Sequence, residues 1–127
     1  MLEFEVIKIK SKANIKAAIH KTGKLGFTKD AIEELQLDKG KYVKFAKNAK
    51  DKNDSCLYMF ISGINEEGSF SVIKAGGYIY LNTNLLFSEL GYDYKNKKIS
   101  FLITEEEQGG TKFYKLRKRE ENRTSKK

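Results

Sequence analysis

The sequence predicts a mainly β (α+β) domain. Two tandem ββαββ units would form one compact barrel or curved sheet with two short helices. Three observations predict this. A pattern recurs after fifty-odd residues. Gly23, Leu25 and Phe27 reappear as Gly77, Ile79 and Leu81 at a spacing of 54. Leu35 and Asp38 reappear as Leu90 and Asp93 at 55, and Val43, Phe45, Leu57 and Tyr58 as Ile99, Phe101, Phe113 and Tyr114 at 56. Second, the 127 residues include 7 Tyr, 8 Phe and no Pro, so nothing in the composition interrupts strands. Third, one unit has too little core to stand alone, whereas two can close a curved sheet around shared apolar faces.

The elements follow from local pattern. Leu2, Phe4 and Val6 alternate with Glu3 and Glu5, and the phase then slips to Ile7 and Ile9, which predicts an N-terminal strand with a bulge. After a turn at Ser11 to Ala13, Ile15, Ala17 and Ile19 point inward and Lys16, Ala18 and His20 outward. Thr22-Gly23 turns the chain into a strand at Leu25 to Phe27. Thr28 is placed to cap a helix carrying Ala31, Ile32 and Leu35, and Asp30 suits the positive end of its dipole. A strand holds Val43 and Phe45, residues 47–55 form a charged loop expected to be a mobile hairpin tip, and Leu57 to Ile61 form the next strand. The second unit repeats the order: a strand at Phe70 to Lys74, a Gly76-Gly77 turn, a strand at Tyr78 to Leu81, and a helix with Leu86 and Leu90 capped by Asn82 or Thr83. Strands at Lys98 to Ile103 and Thr111 to Leu116 follow, joined through Glu105-Glu106-Glu107 and Gly109-Gly110. Residues 1–116 thus read as one domain, with pseudo-repeats at 14–62 and 69–116. Residues 117–127 contain no apolar side chain and are expected to be a disordered basic tail.

Charge is uneven along the chain. The net +8 concentrates at the two ends: residues 1–62 hold 13 Lys/Arg against 8 Asp/Glu, residues 63–114 hold 5 against 7, and the last thirteen hold 7 against 2. Such asymmetry points to a polyanionic partner for one side of the molecule. The first ten residues carry alternating charges and no continuous apolar run, so no signal peptide is expected, and no stretch reaches the length of a membrane span. With one cysteine, Cys56, no internal disulfide can form, which fits a reducing cytoplasm.

A glycine, a basic residue, a short strand, a capped helix with leucine, then a glycine-containing turn and valine make up a combined pattern. Gly23, Lys24, Leu25, Phe27, Thr28, Leu35, Leu37, Gly40 and Val43 occupy it. The pattern resembles the AbrB family of swapped-hairpin DNA-binding domains, and the MraZ-type proteins that carry two such units in one chain. The resemblance implies a DNA-binding transcriptional regulator, with Lys24 as the basic residue carried over. Thr28 and Asn82 stand where the family has proline, Ile32 where it commonly has a helical arginine, and Tyr78 where the first unit has Lys24. The order of elements from Val43 onward also resembles, in topology alone, the Whirly-type fold that binds single-stranded DNA.

The residues themselves suggest phosphate contacts. Lys16, Lys21, Lys24, Lys29, Lys41 and Lys44 gather around the first unit's turns and one strand face. Basic side chains so placed bind phosphates in a salt-dependent, sequence-indifferent way. Tyr78 and Tyr80 share an outward face and, with Tyr42, offer rings on which bases stack. Arg117, Lys118, Arg119 and Arg123 of the tail add charge. His20 has no neighbouring ligand-type residue, and no nucleophile–base or paired-carboxylate arrangement stands out, so no metal, cofactor or enzymatic activity is expected. The expected function is nucleic-acid binding, to single- or double-stranded DNA. The alternative is a protein-interaction or oligomerisation module, with the tyrosine face as its contact and no nucleic acid.

Overall fold

In the computed structural model residues 2–5 and 15–123 are described. Nine strands among them form one sheet: β1 (Lys16–Ile19), β2 (Leu25–Phe27), β3 (Tyr42–Ala46), β4 (Leu57–Ser62), β5 (Phe70–Ser71), β6 (Ile73–Ala75), β7 (Tyr78–Leu81), β8 (Lys97–Gln108) and β9 (Thr111–Asn122). Their order is β5-β3-β4-β9-β8-β1-β2-β7-β6. The two ends of that order are consecutive in the chain, separated only by Val72, whose N–H donates to the Lys41 carbonyl at 3.0 Å. The sheet is therefore a nearly closed barrel. Two helices, α1 (Lys29–Leu35) and α2 (Asn84–Glu89), connect β2 to β3 and β7 to β8.

Hydrogen bonding shows how the two units share this barrel. Within each unit only the hairpins pair: β1 with β2 and β3 with β4 in the first, β6 with β7 and β8 with β9 in the second. Every other seam crosses between units: β1–β8, β3–β5, β2–β7 and β4–β9. The registers carry the repeat spacings. Gly26 lies opposite Tyr80, the residue 54 positions on, so a local twofold runs through that pair. Tyr58 faces Lys115 and Met59 faces Tyr114, so at a spacing of 56 each residue faces the other's counterpart. The symmetry breaks at one seam, since β1–β8 has four register pairs and β3–β5 has two.

Alternation fills the interior. Leu25, Val43, Met59, Leu81, Ile99 and Leu116 are fully buried, and Phe87 of α2 sits among Tyr92, Phe101 and Phe45 at ring separations of 5.6, 6.0 and 6.4 Å. Burying one such phenylalanine contributes about 1.5–3 kcal/mol. The Thr28 hydroxyl accepts from the Ala31 N–H at 3.2 Å, as expected of a cap, and it also bonds the backbone of Lys16 on β1. At the other end of α1, Gln36 adopts a left-handed conformation and Leu37 N–H reaches back to Ile32 O, closing the helix. Thr83 stands at the start of α2, but its buried hydroxyl does not cap that helix; it donates to the Gly23 carbonyl at 2.9 Å. Gly23 has φ +86°, and a Cβ there would fall 2.5 Å from Asn84 Cβ, so the tip of the first hairpin rests directly on α2.

Expectations for four segments are corrected. Residues 117–122 are not a disordered tail: β9 continues to Asn122, paired residue by residue with β8, because cross-strand pairing needs no apolar signal. The loop 47–56 is tied together rather than loose, with Asn48 and Asp54 accepting from the backbone of Lys50, Asp51 and Cys56. Leu2 to Glu5 form no strand, and Leu2 and Phe4 are exposed; the rest of the expected N-terminal strand and its turn lie outside the described residues. The strand expected at Phe70 to Lys74 is broken at Val72 into β5 and β6.

Candidate functional site

Directly opposed residues of neighbouring strands share a face. One row runs Arg119–Ser100–Ala18–Gly26–Tyr80 across β9, β8, β1, β2 and β7. Its middle three residues have almost no side chain, so the outer face dips there. Parallel rows stand on either side: Arg117, Leu102 and Lys16 on one, Glu121 and Lys98 on the other. Because Ala17, Ile19, Ile99, Phe101, Ile79 and Leu81 turn inward, their neighbours on each strand are forced outward around the dip.

The result is an open groove of about 990 Å³. Lys16, Lys24, Lys98 and Arg119 rim it, with Tyr78, Tyr80 and His20, and Glu121 is its one carboxylate. The strand spacing of about 4.8 Å sets Arg119 and Tyr80 roughly 19 Å apart along the row. Lys24 Nζ lies over the Tyr80 ring, 4.8 Å from its centroid, whereas Tyr78 is 77% exposed and its ring face is open. The His20 ring lies over the backbone of Gly26, where an added Cβ would meet Nε2 at 2.6 Å. A side chain at position 26 would have to displace the exposed His20 ring, although the φ of Gly26 is ordinary.

Of the expected contact residues, the groove unites Lys16, Lys24, Tyr78, Tyr80 and Arg119, and Arg117 shares their face next to Leu102. The others are elsewhere. Lys21 is exposed at the tip of the first hairpin and Lys29 on α1. Lys41 precedes β3 and Lys44 lies on it, with β4 between them and the β9 edge of the groove; Lys44 is paired with Glu66 at 2.6 Å. Tyr42, also on β3, does not join Tyr78 and Tyr80. Lys118 points to the inner side of β9, over the Tyr92 ring at 4.5 Å and 3.4 Å from Glu120. Arg123 is structural: its guanidinium donates to the carbonyls of Tyr94 at 2.9 Å and Ile19 at 3.4 Å. Lys98 and Ser100 were not expected at the site. Their alternation with Ile99 and Phe101 marks them as outward, but only the β1–β8 register sets Ser100 against Ala18 and brings Lys98 to the same face as Lys16.

A second, smaller cavity of about 320 Å³ lies beside the loop 47–56. There the Tyr58 hydroxyl donates to Asp54, which also accepts from Asn48 and the Cys56 N–H. These bonds hold the Asp54 carboxyl well below the usual carboxylate range, and the same contact pushes the Tyr58 phenol up to about 12. Burial, followed by the nearby Asp54, pushes the Cys56 thiol up, so it stays protonated at neutral pH. Among the described residues no group of three or more His, Cys, Asp or Glu side chains is placed to hold a metal ion, and no helix is long and apolar enough to cross a membrane. No family model, curated protein or solved structure matches the chain.

Proposed function

We propose that this chain is a nucleic-acid-binding module of regulatory type, with the groove across β9, β8, β1, β2 and β7 as its contact surface. One contrast carries the reading. Lys44, Lys74, Lys97, Lys112 and Lys118 each have a carboxylate partner within 4 Å. Lys16, Lys24, Lys98, Arg117 and Arg119 have none among the described residues; neither do Lys21, Lys29 and Lys41, but these five are the ones that converge on a single outward face of the sheet. Unneutralised cations gathered on one face are the electrostatic footprint of a polyanion site. The exchange of hairpins between the two units supports the reading as well, since it is the arrangement that a likeness to swapped-hairpin DNA-binding domains implies. A cytoplasmic location goes with this role. The second reading, a protein-interaction module, is favoured by the outward rings of Tyr58, Phe60 and Phe113, whose centroids lie 6.0 and 5.6 Å apart.

Fluorescence anisotropy with labelled DNA tests the proposal. Four phosphate contacts, one for each cation at the rim of the groove, predict an affinity that falls roughly 50- to 150-fold between about 50 and 200 mM salt. Replacing Lys98 and Arg119 by alanine should flatten that salt dependence by about two contacts, while Lys44→Ala and Lys118→Ala leave it unchanged. Absence of binding at low salt overturns the proposal. Oligomerisation without DNA affinity would establish the second reading instead.

A further inference from the structure

We infer that the groove takes unpaired rather than duplex nucleic acid, with a base stacked on Tyr78 and the sugar-phosphate chain crossing the floor of Ser100 and Ala18 beside His20. The inference rests on the nucleic-acid reading above and narrows it to a ligand class.

Two lines of observation lead to it. The first concerns what a duplex needs. A protein that reads B-DNA presents a helix or a two-stranded ribbon to the major groove. The ribbon that projects here is the distal half of the β8–β9 hairpin: β1 pairs with β8 as far as Leu102, β4 with β9 over residues 114–116, and beyond them the two strands pair only with each other. That arm carries Glu105, Glu106 and Glu107 near its tip, and Lys112 is already bonded to Glu105 at 3.3 Å. An acidic tip repels a phosphate-lined groove. The helices serve no better. α1 has seven residues and exposes Glu33 and Glu34, and α2 has six with no basic side chain.

The second line concerns what the groove offers. Its floor carries little side-chain bulk at Ser100 on β8 and Ala18 on β1, with the His20 ring over Gly26 beside them, so a flexible backbone can lie close to these two strands between the cations of the rim. Tyr80, at the end of the row, is already covered by the Lys24 ammonium, but Tyr78, two residues away on the same face of β7, is uncovered. Stacking on an aromatic ring requires a base free of its own helix and tolerates any sequence.

The test compares a labelled oligothymidine with a duplex of equal length at low salt, by anisotropy. The single strand should bind about tenfold or more tightly. Tyr78→Ala should weaken single-strand binding about tenfold without altering its salt dependence, and Tyr78→Trp should retain it. Tyr78 is exposed and neither change touches the core, so both variants keep the fold. Equal affinity for strand and duplex, or no loss in Tyr78→Ala, overturns this inference while leaving the nucleic-acid reading in place. Failure to bind either probe overturns both.

Discussion

Asp54 closes the loop between β3 and β4. Three donors converge on its carboxylate, and removing any one loosens a segment that contains no apolar anchor of its own. The pH behaviour of the Asp54–Tyr58 contact follows from the shift of each partner. The Tyr58 pKa is raised from 10.0 to about 12, so its stabilising contribution is complete below pH 10 and disappears as pH rises through about 12. Asp54 is shifted downward, so its contribution holds above the normal carboxylate range and is lost only in strong acid. Titration of phenolate absorbance should therefore show a late step near pH 12. Burial raises the Tyr92 phenol too, so in Tyr58→Phe the late titration should shrink by one phenolate; if its amplitude is unchanged, the assignment fails. At this scale legibility varied with the range of the interaction. Thr28 was readable as a cap because its partner is three residues away. Arg123 was read as a phosphate ligand, because its acceptors are backbone carbonyls 29 and 104 positions distant, which no local pattern encodes.

Strands that bury one face were legible, and those that bury neither were not. Leu25 to Phe27 and Tyr78 to Leu81 were placed correctly because alternation and a glycine turn bound them. β8 and β9 were expected to stop near Ile103 and Leu116, yet each runs for twelve residues. Past the core, their pairing is sustained by the tight turn at Gly109 and Gly110, both with positive φ, and by the long unbroken ladder between them. The helix α1 depends on Thr28 twice over, for its first turn and for its attachment to β1. Thr28→Ala should lower unfolding free energy by about 1–2 kcal/mol, seen as a shift of the urea midpoint with little change in slope. A shift within error would mean that water replaces both bonds.

The whole molecule is held by seams between its halves, and the order of those seams was beyond the sequence. The repeat told which elements are equivalent; it did not tell which hairpin lies beside which. Since a single two-stranded hairpin is marginal in water, and each half consists of two hairpins not bonded to each other, neither half should fold alone. Chains cut within the polar turn 63–69 should give two fragments that are separately unstructured by circular dichroism and regain strand signal on mixing. Independent folding of either fragment would contradict the observed seams. The twofold through Gly26 and Tyr80 has one more consequence. When two identical chains meet about an axis, a residue on the axis confronts its own copy: glycine would face glycine, or tyrosine would face tyrosine. Covalent joining of the halves lifts that rule. Only in a fused chain can a glycine lie directly beside a ring, and this one has used that freedom at the β7 end of its groove.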